Sequence, residues 1–236
     1  MKIEPPFIVV EGLDGSGKGT VLERLKAEYP WPAEVVFTRE PGGTPFAEVI
    51  RDVALNNPLA KEADGATLFH LVWAARHEHL RGLVKPTLVS GKIVVCDRFD
   101  SSTYAYNVVA QGAEYLEKLF WQTREICLRE CRPSLYIILD VDAKVAQARI
   151  QNRPGGNHFD DRKMDFHEKV RAGLLKFGTD LPVVVEQYQI SPEGKMKVGR
   201  GGGGYCQIVD ANQTPDEVYA SVAKVIDQHL VARSHK

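Results

Sequence analysis

The sequence predicts an α/β fold in which helices cover both faces of a parallel sheet of five strands. Apolar segments rich in β-branched residues alternate with longer segments of helical periodicity along almost the whole chain. The apolar segments are continuous rather than alternating, which is typical of strands buried on both faces. Glycine-rich and arginine-containing segments follow the first three of them, at the sheet edge where doubly wound folds bind ligands. We therefore expect one doubly wound domain over residues 1–236.

The strands are predicted at the apolar segments, in chain order. They are residues 7–11 ("FIVVE"), 34–38 ("EVVFT"), 92–97 ("KIVVCD"), 135–141 ("LYIILDV") and 206–211 ("CQIVDA"). Segments between them, such as "VLERLKAEY" and "VYASVAKVIDQHL", repeat apolar residues at helical spacing. Two segments depart from this alternation. Residues 151–163 are polar and rich in turn formers, which predicts a mobile loop, and residues 182–204 alternate around "SPEG", which predicts an inserted β-hairpin.

Composition and charge exclude several classes of protein. With 30 basic and 31 acidic residues among 236, the chain lacks the basic excess of a broad nucleic-acid-binding surface. It has no apolar stretch long enough to span a membrane, and its N-terminus is too close to the glycine-rich loop for a signal peptide. Cys96, Cys127, Cys131 and Cys206 lack the spacing of a zinc finger, and we interpret them as ordinary thiols. We expect a reducing, cytoplasmic location.

The most informative segment is "GLDGSGKG" at residues 12–19, between the first predicted strand and a helix. Its glycines allow successive backbone N–H groups to point at phosphate oxygens, and the following helix N-terminus adds positive potential. Lys18 would supply the cation for the terminal phosphates. Gly19 occupies the position where a phosphate loop usually has a serine or threonine for magnesium. We therefore expect magnesium to be bound mainly by phosphates, water and a carboxylate elsewhere, with Thr20 assisting.

Several charged residues near this loop have two interpretations each. Asp14 is either a solvated loop carboxylate or a ligand for a substrate hydroxyl, because an acid beside polyphosphate is electrostatically unfavourable. Arg39 and Arg98 follow the second and third predicted strands, and their planar guanidinium groups suit bidentate phosphate contacts. Asp97 is either a magnesium-side carboxylate or a partner in a structural ion pair. Arg76, on an apolar helix face, is either a snorkelling side chain or a third phosphate ligand.

These segments together resemble the thymidylate kinase family. The resemblance is carried by "EGLDGSGKGT", "FTREPGGT", "WAARHEHLRGLVKPTLVSGKIVVCDRFDSSTYAY" and "RPSLYIILDVD", which occur in the family's order and spacing. It covers roughly residues 5–180 and resumes at "IVDANQTPDEVY", whereas the predicted 182–204 hairpin has no counterpart in the family. It implies a single P-loop kinase domain with a closing lid at about residues 151–163. It also implies the use of ATP and Mg²⁺ and a deoxynucleoside monophosphate as acceptor, with dTMP as the leading candidate. The protein is further expected to be a homodimer that binds neither nucleic acid polymers nor membranes.

The resemblance also implies roles for residues of this sequence. The ATP site would consist of Gly12, Leu13, Asp14, Gly15, Ser16, Gly17, Lys18, Gly19, Thr20 and Arg149. The acceptor site would consist of Asp14, Arg39, Phe69, Val72, Arg76, Arg98, Ser102, Thr103 and Tyr106. Arg149, Arg153 and Arg162 would form a basic lid, which supplies the catalytic arginine that the phosphate loop lacks. The implied catalytic residues are Lys18, Arg98, Arg153 and Asp97, and the implied magnesium ligands are Asp97 and Thr20.

The identity of the acceptor stays open at this point. The family has a phenylalanine that stacks on the base four residues before the arginine of this helix, whereas this chain has Val72, with Phe69 and Trp73 nearby. The two aromatic residues are either base ligands or core residues. One alternative is a kinase of another deoxynucleoside monophosphate, such as dUMP or dGMP, and a second is a nucleotide-operated switch without kinase activity. The lid arginines and the absence of an "NKxD" motif argue against the switch.

Overall fold

The computed structural model describes residues 5–129, 131–151, 163–188 and 205–234, and within these it contains the predicted parallel sheet. The strands are β1 (Phe7–Gly12), β2 (Val35–Arg39), β3 (Ile93–Asp97), β4 (Leu135–Asp140) and β5 (Tyr205–Asp210). They lie in the order β2-β3-β1-β4-β5, and each neighbouring pair is parallel. The α/β class and the five predicted strands are confirmed.

Helices connect consecutive strands throughout the described residues. They are α1 (Lys18–Ala27), α2 (Pro45–Arg51), α3 (Gly65–His79), α4 (Lys85–Val89), α5 (Asp100–Ser102), α6 (Glu117–Leu128), α7 (Ala143–Gln151), α8 (Met164–Tyr188) and α9 (Pro215–Ser234). Shorter π-helical segments follow α2 (Asp52–Asn56), α3 (Leu80–Val84) and α5 (Thr103–Val109), and 3₁₀ turns cover Pro58–Lys61 and Glu114–Leu116. None of the helices in this part of the chain combines the length and apolar character needed to cross a bilayer.

The central strand β1 shows that both faces of the sheet are covered. All six of its residues are buried. Ile8 and Val10 belong to a core that they share with α1 and α9, whereas Phe7 and Val9 belong to a second core shared with α3 and α6. Successive side chains of a strand point to opposite faces, so a strand between two cores needs apolar residues at every position. This requirement explains the continuous apolar segments in the sequence.

The register of the parallel strands places the chemically distinctive residues at one edge. Val10 of β1 lies opposite Asp97 of β3, and Arg39 of β2 also lies opposite Asp97. Gly12, the last residue of β1, lies opposite Leu139 of β4. The carboxyl ends of β1, β2 and β3 are therefore level, and the segments that follow them meet at the same place.

The structure differs from the prediction at residues 182–188. These residues continue helix α8 to Tyr188, where the sequence pattern predicted the first strand of a hairpin. Helix α8 is anchored by the buried side chains of Leu174, Phe177 and Leu181. Extending an established helix is easy compared with nucleating one, and tertiary anchoring overrides the weak helix propensity of valine. The rest of the predicted hairpin, residues 189–204, and most of the predicted lid, residues 152–162, lie outside the described residues.

Candidate active site

A cleft of about 790 Å³ opens at the carboxyl edge of the sheet. Its lining combines the glycine loop of residues 12–19, the ends of β2 and β3, α3 and the π-helical segment after α5. Most residues predicted for the two substrate sites meet here: Asp14, Gly15, Gly17, Lys18, Gly19, Thr20, Arg39, Val72, Arg76, Asp97, Arg98, Ser102, Thr103, Tyr106 and Arg149. Residues separated by more than 100 positions in the sequence thus form one site.

The glycine loop takes backbone conformations that other residues adopt only with strain. Gly12, Gly15 and Gly17 have φ angles of 151°, 81° and 90°. A Cβ atom at Gly15 would also lie 2.3 Å from the backbone oxygen of Ala146, so no larger residue fits there. Helix α1 begins directly after Gly17 without a side-chain cap, which leaves its first N–H groups free to bind an anion.

Lys18 is the first residue of α1, and its ammonium group is held over the glycine loop. Nζ donates to the backbone oxygens of Gly12 at 2.9 Å and Leu13 at 3.0 Å. The side chain is buried yet lines the cleft. Burial lowers the pKa of Lys18, and the nearby charge of Arg98 adds to this effect. Gly12 and Leu13 therefore position the lysine through their backbone oxygens. The Ser16 side chain is buried without a hydrogen-bond partner among the described residues.

Arg149 connects the glycine loop to the far side of the sheet. It lies in α7, and its Nη1 donates to the backbone oxygens of Gly15 at 3.3 Å and Ala211 at 3.2 Å. Ala211 directly follows β5. Arg149 lines the cleft beside the glycine loop, and its role in ATP binding stays a prediction. Arg153 and Arg162, the other two predicted lid arginines, lie outside the described residues.

Arg98 joins the glycine loop to the segment after β3. Its Nη2 donates to Asp14 Oδ1 at 2.6 Å, and its Nη1 donates to the backbone oxygen of Gly12 and to Ser102 Oγ, both at 3.1 Å. Tyr106 donates its hydroxyl to Asp14 Oδ2 at 3.0 Å. Burial alone would raise the pKa of Asp14, but the charges of Arg98 and Lys18 outweigh it and hold this pKa well below its usual range. Asp14 is therefore a permanent carboxylate on the cleft wall.

Glu11 fixes the backbone of the same segment from behind the cleft, a function that the sequence pattern did not reveal. Its Oε1 accepts from the backbone N–H of Phe99 at 2.8 Å and of Ser102 at 3.0 Å, and from Ser101 Oγ at 2.7 Å. Its Oε2 accepts from Ser102 Oγ at 2.8 Å. Burial raises the pKa of this fully buried carboxyl. The only signal in the sequence was an acidic residue at the end of an otherwise apolar strand.

Arg76 reaches the cleft from α3 as part of a buried polar network. Its Nε donates to Glu40 Oε2 at 2.7 Å, and its Nη2 donates to Thr103 Oγ1 at 2.9 Å. The second carboxylate oxygen of Glu40 lies 2.8 Å from His79 Nδ1, and His79 Nε2 lies 2.8 Å from Thr38 Oγ1. Arg76 Nη1 is buried and has no hydrogen-bond partner among the described residues. Glu40 and His79 were not predicted, because the contact joins residues 36 positions apart.

Arg51 is a further site residue that sequence analysis missed. It lies at the end of α2 and lines the cleft, and its Nη1 donates to the backbone oxygen of Pro41 at 2.7 Å. Burial lowers its pKa, and the charges of Arg39 and Arg98 lower it further. Arg39 itself is paired with Glu48 at 3.1 Å on the exposed side. The guanidinium group of Arg51 is thus close enough to those of Arg39 and Arg98 to be repelled by both, and all three line the cleft, which indicates an anion site.

The apolar part of the cleft differs from the prediction. Val72 lines it together with Ala54, Leu55 and Leu68. Phe69, which we predicted to contact the acceptor, is 0% exposed and is not part of the lining, because it faces the second core. Trp73 lies in the same core, beside Phe69. Val72 lies four residues after Leu68, which also lines the cleft, whereas Phe69 and Trp73, themselves four residues apart, form the neighbouring stripe of α3 that packs into the second core.

Comparison with known proteins identifies the family to which this arrangement belongs. The thymidylate kinase family model matches residues 10–193. The chain belongs to the thymidylate kinase family. It is 33% identical to the thymidylate kinase of Caulobacter vibrioides over 225 residues, which cover 95% of this chain and 97% of that protein. It is 36% identical to a thymidylate kinase from a Geobacillus strain over 226 residues, which cover 94% of this chain and 96% of that protein.

A solved structure of the family has the same fold. The crystal structure of thymidylate kinase from Ehrlichia chaffeensis superposes with a TM-score of 0.64 at 29% sequence identity. The match covers 94% of this chain and 98% of that one. This thymidylate kinase family member therefore has the overall architecture of its relatives along nearly its whole length.

The thymidylate kinase family uses ATP with Mg²⁺, and two side chains in the cleft of this member, Asp97 and Thr20, are suited to hold this ion. Asp97 lines the cleft, and its Oδ1 is buried without a hydrogen-bond partner among the described residues. Thr20 lines the same cleft. Within that part of the chain, no three His, Cys, Asp or Glu side chains are grouped as a metal site. One carboxylate and one hydroxyl suit Mg²⁺, which keeps most of its ligands as water and substrate phosphates.

Proposed function

We propose that this chain phosphorylates dTMP to dTDP with ATP, and that it does so in the cleft described above. The observation that carries the proposal is that a phosphate loop and a second cluster of guanidinium groups line the same cleft. A kinase needs two anionic substrates side by side, with their reacting oxygens aligned. A nucleotide switch needs only the first of these two sites.

On the ATP side, the glycine loop, Lys18 and Arg149 bind the nucleotide. The free N–H groups at the start of α1 and the ammonium group of Lys18 contact the phosphates. Asp97 and Thr20 would hold Mg²⁺, which, when bound, neutralises part of the phosphate charge. Arg153 and Arg162 supply further positive charge from the lid, and Arg153 is the catalytic arginine. These last two assignments follow from the family resemblance.

On the acceptor side, Arg39, Arg51 and Arg98 bind the phosphate of dTMP. Asp14 stays ionised next to Arg98 and accepts a hydrogen bond from a sugar hydroxyl. The acceptor phosphate is itself anionic, so transfer requires alignment and charge neutralisation rather than a strong base. Ser102 and Tyr106 hold Arg98 and Asp14 in place through the hydrogen bonds described above.

Arg76 is better suited to the base than to the phosphate, which differs from our expectation from sequence. Its charge is compensated by the buried carboxylate of Glu40 at 2.7 Å. Its Nη1 is buried and unpartnered among the described residues, and therefore requires an acceptor. A base carbonyl oxygen in the apolar part of the cleft would satisfy it. We assign Arg76 and Thr103 to the base on these grounds.

The test is ADP release from ATP with each of dTMP, dUMP, dGMP, dCMP and dAMP as acceptor. We expect the highest kcat/KM with dTMP. Faster turnover with dGMP or dUMP would show that the chain is instead a kinase of that nucleotide. Steady ATP hydrolysis that does not depend on any monophosphate would favour the switch.

Val72 provides a prediction about how strictly the base is selected. Replacing Val72 by phenylalanine should raise the ratio of kcat/KM for dTMP to that for dGMP, because a ring at this cleft position stacks on the pyrimidine and fills space that a purine needs. Stacking of one base on an aromatic ring contributes about 1–3 kcal/mol, so a change of about tenfold is expected. Steady-state kinetics with both acceptors measures the ratio.

The matched control for this change is Val89→Phe, at a residue of α4 that is 79% exposed. The same substitution there should leave the ratio unchanged. An unchanged ratio in a folded Val72→Phe enzyme would mean that residue 72 does not contact the base.

We also propose that the chain forms a homodimer in the cytoplasm. Phe46, Val49 and Val53 are 62%, 57% and 42% exposed and lie on one side of α2 and its π-helical extension, where a second copy would cover them. The free thiols of Cys96, Cys127 and Cys206 suit a reducing compartment. Light scattering should give the mass of two chains, and Val49→Lys should shift it toward one. A wild-type protein that stays monomeric at assay concentrations would contradict the dimer.

A further inference from the structure

A buried ion pair lies behind the cleft, outside its lining. Arg124 of α6 donates from Nε to Asp100 Oδ2 at 2.5 Å, and the two residues are 1% and 0% exposed. Tyr136, in the central part of β4, donates its hydroxyl to Asp100 Oδ1 at 2.8 Å and accepts from Arg124 Nη2 at 3.1 Å. None of the three residues lines the cleft. Replacing a buried ion pair by apolar residues is often neutral or stabilising, so stability alone is weak grounds for its presence.

The ion pair is connected to the site through the backbone. Asp100 is two residues from Arg98, which has a φ angle of 66°. A residue with a Cβ atom is rarely found in this left-handed region, and it stays there only where its surroundings hold it. Here the side chain of Arg98 points to the cleft, while that of Asp100 points away from it, into the core. The left-handed φ angle of Arg98 and the anchored side chain of Asp100 together set the direction in which the Arg98 side chain leaves the end of β3.

Two buried carboxylates, those of Glu11 and Asp100, clamp this turn. Glu11 binds the backbone N–H groups of Phe99 and Ser102, as described above. Asp100 is anchored to Arg124 and Tyr136, and Tyr136 belongs to a strand paired directly with β1. Helix α5 is three residues long and continues directly into the π-helical segment Thr103–Val109. Glu11 ties the turn to β1, whereas Asp100 ties it to β4 through Tyr136 and to α6 through Arg124.

We infer that Asp100, Arg124 and Tyr136 are positioning residues for the acceptor phosphate, because they hold Arg98 in the left-handed conformation that directs its guanidinium group into the cleft. The inference rests on the proposed function, in which Arg98 binds the phosphate of dTMP. Under this inference, disturbing the turn changes the binding of the phosphate group and not that of the nucleoside. A loosened turn should weaken binding of dTMP, while thymidine, which lacks the phosphate, should bind as before.

The test compares the dissociation constants of dTMP and thymidine for wild type, Tyr136→Phe and Asp100→Asn by isothermal titration calorimetry. Tyr136→Phe keeps the ring and the charge pair and removes only the hydroxyl. We expect the preference for dTMP over thymidine to fall by about fivefold in Tyr136→Phe, which loses the hydrogen bonds of the hydroxyl to Asp100 and Arg124, and further in Asp100→Asn. In kinetics the KM for dTMP should rise by a similar factor, while the KM for ATP stays within about twofold of wild type. If Asp100→Asn does not fold, Tyr136→Phe decides the question.

Tyr29→Phe is the matched control. It also removes a hydroxyl that binds a carboxylate, Asp227 Oδ1 at 2.5 Å, but Asp227 belongs to α9 and not to the turn that carries Arg98. Both Tyr→Phe variants should lose some thermal stability, and only Tyr136→Phe should lose preference for dTMP. An unchanged preference in a folded Tyr136→Phe protein would overturn the inference and leave the ion pair with a structural role. A wild-type protein that binds dTMP no better than thymidine would instead remove the phosphate site, and with it the basis of the inference.

Discussion

Replacement of Lys18 by methionine is expected to lower kcat by a factor on the order of 10³ while leaving the fold intact. The loss should be this large because one preorganised charged donor at a transition state commonly contributes a factor of that order. The fold should survive because, in the described part of the chain, the hydrogen bonds of Lys18 Nζ go to the backbone oxygens of Gly12 and Leu13. Methionine also fills a buried, irregular space well. ADP release in the presence of dTMP measures turnover, and circular dichroism measures folding and thermal stability.

Lys26→Met is the matched control for this variant. Lys26 belongs to the same helix, α1, and its side chain is exposed on the surface. The Lys26→Met variant should keep the activity of wild type. Turnover close to normal in a folded Lys18→Met protein would contradict the assignment of the phosphate loop.

Replacement of Arg98 by alanine is expected to raise the KM for dTMP by about 100-fold, with a much smaller effect on the KM for ATP. Two charge-assisted hydrogen bonds to the acceptor phosphate, of about 1.5 kcal/mol each, account for this size. Arg98 contacts the acceptor side through Asp14 and Ser102, so the ATP side should be affected little. Initial rates at varied dTMP and at varied ATP separate the two constants.

Arg153→Ala provides the contrast to this variant. A lid arginine that acts on the transition state should lower kcat strongly and leave the KM for dTMP nearly unchanged. If Arg153→Ala raised the KM for dTMP and Arg98→Ala lowered kcat, the two assignments would have to be exchanged.

Arg98→Ala should also change how stability depends on pH. The carboxyl of Asp14 has a lowered pKa in the folded protein, so its interaction with Arg98 stabilises the fold above the pKa of an unfolded aspartate, near 3.9. This contribution is lost as the pH falls through the lower folded value. The difference in Tm between wild type and Arg98→Ala should therefore be largest at roughly pH 5 and above, and should shrink below about pH 4. A difference that is constant over this range would mean that the ion pair does not stabilise the fold.

Local sequence was enough to predict those features whose physical cause is itself local. The strands were recognisable because a strand between two cores must be apolar at every position, as β1 is. The glycine loop was recognisable because its φ angles at Gly12, Gly15 and Gly17 require glycine. Arg39 and Arg98 were recognisable because parallel strands bring whatever follows them to one edge.

Features that depend on contacts between distant segments could not be predicted in this way. Arg51 has no motif of its own, and only the packing of α2 brings it beside Arg39 and Arg98. Glu40 became interpretable only when α3 placed Arg76 and His79 against it. The hydropathy of Phe69 and Val72 is similar, and the orientation of α3 decided which one faces the cleft. Residues 182–188 have a strand-like composition, yet the anchoring of α8 made them helical.

The sequence by itself therefore determined the fold class and the phosphate loop, since periodicity and steric requirements act over a few residues, and the kind of reaction was implied by the resemblance to the thymidylate kinase family. Only the tertiary structure decided which charges are paired and which remain available to a substrate. Arg76 is neutralised by a carboxylate 36 positions away, and Asp14 is held ionised by an arginine 84 positions away. The energy of a charge inside a protein depends on its burial and on its neighbours in space, and the order of residues along the chain specifies those neighbours only through the completed fold.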